Sequence, residues 1–112
     1  MSYTTRVMFE FSDEVPSDAV TAAARAYLDR QNLYAVDDVL QDLLRGWDSG
    51  STEFNGLVVK DIEGLMSEIS SAFPAVRFYV RGMGEEYADV WLRQFEGGNI
   101  VHAIGPFEDQ TD

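Results

Sequence analysis

The feature that most constrains the fold is the C-terminal third of the chain, where apolar and polar residues alternate in three segments. Residues 75–83, 87–95 and 100–104 have the two-residue period of half-buried strands. Glycines lie between them, and the Gly-Gly-Asn sequence at 97–99 is typical of a hairpin turn. Because strands joined by short turns pair in antiparallel fashion, this region is predicted to form a three-stranded β-meander.

The rest of the chain combines one further strand with segments of helical period. Alternation at 3–11 predicts a strand, and 52–54 is either a short strand or part of a loop. The segments whose apolar residues recur every three or four positions are 18–31, 36–45 and 59–73. This order predicts an α+β fold, a ferredoxin-like variant in which two to three helices pack on one face of a mostly antiparallel sheet.

Local signals mark the ends of these helices. Ser17 is a typical N-cap for the first helix, and Asn32 is expected to end it. Gly46 is expected to end the second helix. Pro74 is expected to end the third, because proline cannot continue a helical hydrogen-bond ladder.

Size and composition favour a single domain covering residues 1–112, with 107–112 as an acidic, frayed tail. With 46% apolar residues the chain can bury a core, and the absence of cysteine excludes disulfides and zinc–thiolate sites. The sequence shows neither a secretory leader pattern nor a long apolar run. A cytoplasmic protein without a membrane-spanning segment is therefore expected.

The net charge of −12 at pH 7 restricts the class of partner. Because phosphate contacts need cations, direct binding to nucleic acid or to an anionic membrane is disfavoured. The same charge favours a basic protein partner or metal ions. Solubility alone is the alternative explanation for an acidic surface.

One face of the predicted sheet is rich in arginine and aromatic side chains. The two-residue period places these side chains together: Arg6, Arg77, Arg81, Arg93, Tyr79, Trp91 and His102. The opposite, core-facing set is predicted to be Val7, Phe9, Phe11, Val76, Phe78, Val80, Ala88, Val90 and Leu92. Arginine and aromatic residues are enriched in binding hot spots. The candidate partner-binding residues on this face are Arg77, Tyr79, Arg81, Trp91 and Arg93. The alternative is that cross-strand pairs among them stabilise an exposed sheet without a ligand.

A second candidate surface is acidic. Carboxylates crowd the middle of the chain at Asp37, Asp38, Asp42, Asp48 and Glu53. Neighbouring like charges on a helix repel each other, so their accumulation invites a functional explanation, the imitation of a phosphate backbone. In size and charge the chain resembles the anti-restriction and anti-CRISPR inhibitors that viruses and plasmids encode. The resemblance is one of composition, without a shared motif, and a solvated acidic face is the alternative.

No catalytic or metal-binding pattern stands out in the sequence. His102 is the only histidine, and no serine lies in a nucleophile-elbow context beside it. The stretch 48–53 has too few oxygen ligands at the spacing of a calcium loop. We therefore expect neither an enzyme nor a metal or cofactor site. The sequence favours a non-enzymatic protein-binding module that mimics nucleic acid, and the alternative is a self-associating structural domain, a homodimer, that uses the open sheet face.

Overall fold

The computed structural model describes residues 3–31 and 35–107. In chain order the elements are β1 (Thr4–Phe11), α1 (Ser17–Arg30), α2 (Val36–Ser49), β2 (Ser51–Asn55), α3 (Val59–Ala72), β3 (Arg77–Met83), β4 (Val90–Glu96) and β5 (Asn99–Ile104). Within the described residues, three helices pack against a five-stranded sheet, which confirms the α+β class. Neither described segment contains a helix with the length and apolar character needed to cross a membrane. Asn32 and residues 108–112 of the predicted tail lie outside the described residues.

The sheet is antiparallel at every described pairing, in the order β2-β1-β3-β4-β5. The C-terminal β-meander is confirmed, because β3 pairs with β4 and β4 pairs with β5. Residues 52–54 were predicted to be either a short strand or part of a loop. They belong to strand β2, which pairs with β1. The ferredoxin-like relationship stays a prediction.

The helices are layered against one face of this sheet. α2 packs over β2 and β1, whereas α3 packs over β4 and its neighbours β3 and β5. α1 packs against both other helices. Their buried side chains and those of the sheet form one continuous hydrophobic core.

Two of the predicted helix ends differ from the structure. Ser17 is the first helical residue of α1, and Pro16 occupies the N-cap position instead. α2 continues through Gly46 to Ser49 and ends where Gly50 adopts a left-handed conformation, with φ of 93°. Gly46 lies inside the helix because it faces β1 and β2 closely: a Cβ there would come within 2.6 Å of the Phe9 ring and 2.9 Å of Thr52. That glycine therefore allows close packing and does not terminate the helix.

An aromatic cluster joins α2 to the middle of the sheet. The Trp47 ring lies 4.2 Å from that of Phe11 and 5.6 Å from that of Phe9, measured between centroids. Phe78 of β3 completes the cluster, at 5.7 Å from Phe11. The Trp47 indole N–H donates to the Val15 carbonyl at 3.2 Å, so the ring is buried with its polar group satisfied.

The predicted orientation of β4 is wrong. Trp91 is 2% exposed and Arg93 is 6% exposed, both beneath the helices, and Phe95 is buried beside them. The residues expected in the core, Val90 and Leu92, point to the opposite face and are half-buried. The register shows the reason, because paired residues share a face and Trp91 lies opposite the buried Gly82.

Gly82 makes the burial of the Trp91 indole possible. A Cβ at Gly82 would overlap the six-membered ring of the indole, so only a glycine lets that ring lie flat across β3. Strand β4 also starts later than predicted, at Val90, because the Asp89 N–H bonds to the Glu86 carbonyl in a turn. The contact with Gly82, which lies outside the β4 sequence, thus favours burial of Trp91, and the turn determines where the strand begins.

Substitution of two adjacent residues on β4 tests this orientation. Trp91→Ala should lower the free energy of unfolding by about 3–5 kcal/mol, because it leaves a large cavity in the core. Leu92→Ala, on the half-buried face, should cost about 1 kcal/mol or less. Urea unfolding followed by far-UV circular dichroism measures both. A larger loss for Leu92→Ala than for Trp91→Ala would show that the strand has the opposite orientation.

Candidate protein-binding surfaces

The face of the sheet that points away from the helices is called the outer face here. Its side chains come from alternate positions of every strand: Thr4, Arg6, Met8 and Glu10 of β1, Ser51, Glu53 and Asn55 of β2, Arg77, Tyr79, Arg81 and Met83 of β3, Val90, Leu92, Gln94 and Glu96 of β4, and Asn99, His102 and Ile104 of β5. Most of these side chains are exposed, so the described residues leave this face uncovered.

Arg81 lies at the centre of the outer face. Across the strands its direct neighbours are Met8 on one side and Leu92 on the other. The row continues from Leu92 to Ile104 at the sheet edge. Met8 is 45% exposed and Ile104 is 47% exposed, so the exposed guanidinium of Arg81 lies in a row of apolar side chains that water reaches.

Arg81 differs from every other arginine of the chain. Each of the others has a carboxylate oxygen within 3.1 Å of its guanidinium. On the outer face, Arg6 pairs with Glu53 and Arg77 pairs with Glu96, both at 2.9 Å. Among the described residues no carboxylate lies within ion-pairing distance of Arg81, nor does its side chain make a hydrogen bond with any of them.

The pairing of Arg77 also explains its electrostatics. The Tyr79 side chain beside it, and next the negative charge of Glu96, raise the pKa of Arg77 above its ordinary value. The guanidinium is therefore charged and satisfied locally. Such exposed pairs contribute little to stability, but they neutralise a charge that would otherwise be available for an ion pair with a binding partner.

The outer face has no net charge, although the whole chain carries −12. Within the described strands its arginines, Arg6, Arg77 and Arg81, are balanced by Glu10, Glu53 and Glu96. A shallow depression of about 290 Å³ lies beside Arg81 and is lined by Met8, Tyr79 and Leu92 among others. Exposed apolar surface around a charge of this kind is typical of protein-binding sites.

The structure brings only part of the predicted sheet-face set together. Arg77, Tyr79 and Arg81 lie on the outer face as expected, and so does His102. Trp91 and Arg93 do not, because both are buried under α3. The residues that sequence reasoning missed are the apolar neighbours of Arg81: Met83, Val90, Leu92 and Ile104. For Val90 and Leu92 the available signal was the alternation of β4 read in its other phase.

Arg93 is instead a structural residue. Its Nε donates to a Glu63 carboxylate oxygen of α3 at 2.5 Å. Its terminal nitrogens donate to the carbonyls of Leu92, Ile104 and Gly105, at 2.8, 2.9 and 2.7 Å. The guanidinium also lies over the Trp91 ring, 5.6 Å from its centroid. A buried charge satisfied in this way joins α3, β4 and the end of β5.

The acidic set is divided by the fold. Asp37, Asp38, Asp42 and Asp48 lie on α2, but Glu53 lies on the outer face, on the opposite side of the sheet. Asp37 pairs with Arg25 and Asp42 pairs with Arg45, each at 3.1 Å. Asp37 and Asp38 also lie in the first turn of α2, where negative charge stabilises the helix dipole. Local structural roles therefore account for most of this set.

Asp48 belongs to a different acidic group. It lines a shallow depression of about 440 Å³ together with Glu14 and Asp18, and the floor includes Phe11 and Trp47. These carboxylates form no ion pair with any described residue. Glu14 lies in the loop between β1 and α1, and Asp18 lies in the first turn of α1. The fold places both beside the C-terminal end of α2, which no pattern in the sequence indicated.

The described residues contain no cluster of three or more histidine or acidic side chains arranged to hold a metal ion. His102 is exposed and lies opposite Gln94 on the outer face. Comparisons of the chain with protein-family models, with curated proteins and with solved structures find no match. The two surfaces themselves, the outer face around Arg81 and the acidic depression, are therefore the basis for a functional proposal.

The structural role of Arg93 can be tested against an exposed arginine. Arg93→Ala should lower the free energy of unfolding by about 3–5 kcal/mol, because Glu63 and two strand-end carbonyls lose their buried partner. Arg6→Ala removes an exposed pair and should leave unfolding nearly unchanged. Chemical denaturation of both variants measures the difference. Equal, small effects would mean that the buried pair does not stabilise the fold.

Proposed function

We propose that this chain is a non-enzymatic protein-binding domain and that the outer face of its sheet is the binding surface. The observation that carries the proposal is Arg81: a charged side chain without a carboxylate partner among the described residues, placed at the centre of an apolar row on the neutral face of a strongly acidic protein. Because the surface itself carries no net charge, contact there adds little local charge repulsion to the field of the whole chain.

The arrangement indicates what the partner presents. Met8, Leu92 and Ile104 favour an apolar surface, since burial of their exposed area is the main source of affinity. Arg81 favours a carboxylate within that surface, because a guanidinium binds a carboxylate through two parallel hydrogen bonds. The partner site that fits best is an apolar patch with an acidic residue near its centre.

Replacement of Arg81 tests the proposal directly. Affinity capture from a lysate of the source organism or its host, with wild type and Arg81→Ala as parallel baits, should recover a partner with wild type alone. With that partner purified, Arg81→Ala should weaken binding by about thirtyfold, the effect of a central hot-spot residue. The thermal unfolding midpoint should stay nearly unchanged, because Arg81 makes no ion pair with described residues.

Arg45→Ala is the matched control, since Arg45 is also exposed but lies on α2 and pairs with Asp42. It should bind like wild type. Equal binding by wild type and Arg81→Ala would contradict the proposal. Equal losses in both arginine variants would point to a nonspecific charge effect, which also contradicts it.

The acidic depression favours a second candidate function, inhibition of a basic protein by imitation of nucleic acid. Glu14, Asp18 and Asp48 surround an aromatic floor, and none of them pairs with a described arginine or lysine. A partner whose natural ligand is a phosphate backbone presents lysine and arginine side chains that fit such a surface.

Salt dependence separates the two functions. Binding through the acidic surface should weaken by at least about tenfold between 50 and 200 mM salt, because several charge pairs are screened together. Binding through the outer face, which has no net charge, should change by less than about threefold over the same range. Isothermal titration calorimetry of wild type and of a Glu14→Gln, Asp18→Asn, Asp48→Asn variant makes the comparison. A steep salt dependence that disappears in the triple variant would favour the second function over the first.

A further inference from the structure

Strand β5 is an edge of the sheet that has almost none of the usual protection. Among the described residues it pairs only with β4, and all of its residues are exposed. Its sequence, Asn-Ile-Val-His-Ala-Ile, contains no acidic residue, lysine, arginine or proline. Natural edge strands are normally protected by such residues, because an unpaired row of N–H and C=O groups can pair with another strand.

The other edge of the sheet shows the contrast. β2 is shorter, carries Glu53, and has buried residues at alternate positions where α2 packs on it. On β5 the exposed side chains are instead apolar, with Ile100 40%, Val101 49% and Ile104 47% exposed. The protective feature that β5 does have is a bulge opposite Gln94 and Phe95, which interrupts the register but adds no charge.

The edge is also held in place. Arg93 binds the carbonyls of Ile104 and Gly105 and is itself held by Glu63 of α3, so the end of β5 is anchored to the core. At the other end, the Gly98 N–H donates to the Ser70 hydroxyl of α3 at 3.0 Å. A strand fixed at both ends loses little conformational freedom when another strand pairs with it, which favours association.

We infer that β5 pairs with β5 of a second copy of this chain, in antiparallel fashion about a two-fold axis. The absence of charged side chains on β5 permits this occupant. Two chains of charge −12 repel each other over most of their surfaces, but a strand without charged residues lets them meet at a neutral contact. Antiparallel pairing of two β5 strands about a two-fold axis is an isologous contact, because both copies contribute the same residues.

This dimer leaves the proposed binding surface free. Antiparallel pairing at β5 continues the sheet from one copy into the other, so both outer faces point to the same side and present two Arg81 sites. The inference does not depend on what binds Arg81. A contact of one short strand buries less than the roughly 800 Å² per partner of a standard interface, so a weak dimer is expected.

Sedimentation velocity of the full chain over a range of about 5–500 μM should show a monomer–dimer equilibrium with a dissociation constant in the micromolar range. Higher salt should strengthen the dimer, because it screens the repulsion between the two acidic bodies. Val101→Lys should raise the dissociation constant about tenfold or more, since it places a charge at the pairing edge. A monomer at every concentration would overturn the inference.

Ser51→Lys is the matched control, because it adds the same charge at the β2 edge. It should dimerise like wild type, and loss of the dimer in this variant instead of Val101→Lys would overturn the inference.

Hydrogen exchange of the wild-type protein tests the inference even if Val101→Lys does not fold. Amide protection at 99–104 should rise with protein concentration. Protection that is unchanged by concentration would show that no second copy covers β5, whether the strand is bare or covered by its own chain.

Discussion

The ion pair between Arg93 and Glu63 is the interaction on which the arrangement of the C-terminal half depends. Arg93 is buried, so its charge must be satisfied within the protein, and Glu63 with the carbonyls of Leu92, Ile104 and Gly105 does this. Those partners belong to α3, β4 and the end of β5. One side chain therefore joins the helix layer to the last two strands. Together with the contact between Trp91 and Gly82, it favours the orientation of β4 in which these residues lie beneath the helices.

That orientation determines the character of the opposite face. With Trp91, Arg93 and Phe95 beneath the helices, Val90 and Leu92 are left on the outer face beside Arg81. The result is a neutral surface with exposed apolar residues, on a chain whose acidic residues lie mostly elsewhere. Arg6 and Arg77 each pair with a glutamate on a neighbouring strand. Arg81 differs from them because it has no such partner among the described residues. The acids of α2 have a similar local explanation, because Asp37 and Asp42 pair with arginines and Asp37 and Asp38 stabilise the helix start.

The sequence alone predicted the strand and helix segments and the α+β class, because the two-residue and 3.6-residue periods are properties of short segments. It also predicted correctly that Arg77, Tyr79 and Arg81 share the outer face, since in β3 one phase is clearly apolar. It failed at β4, where the sequence Val-Trp-Leu-Arg-Gln-Phe-Glu has large apolar residues in both phases. The prediction took the phase of Val90 and Leu92 as the core side and so placed Trp91 and Arg93 on the exposed face. The prediction for Gly46 was also wrong. Its role is to let Phe9 and Thr52 approach α2, and no local pattern in the sequence shows such a long-range contact.

Only the tertiary structure decided which candidate residues form a surface. Burial of Arg93 depends on Glu63, which lies 30 positions earlier in the chain, and burial of Trp91 depends on Gly82 of the neighbouring strand. No local pattern contains such partners. What the sequence determined by itself was the set of elements and the net charge, since these follow from periodicity and composition. The choice of face on β4 followed from long-range packing, because a buried polar group can be satisfied only by whatever the fold places beside it. The fold likewise decided that Arg81 has no carboxylate partner among the described residues and that Glu14 lies near Asp48.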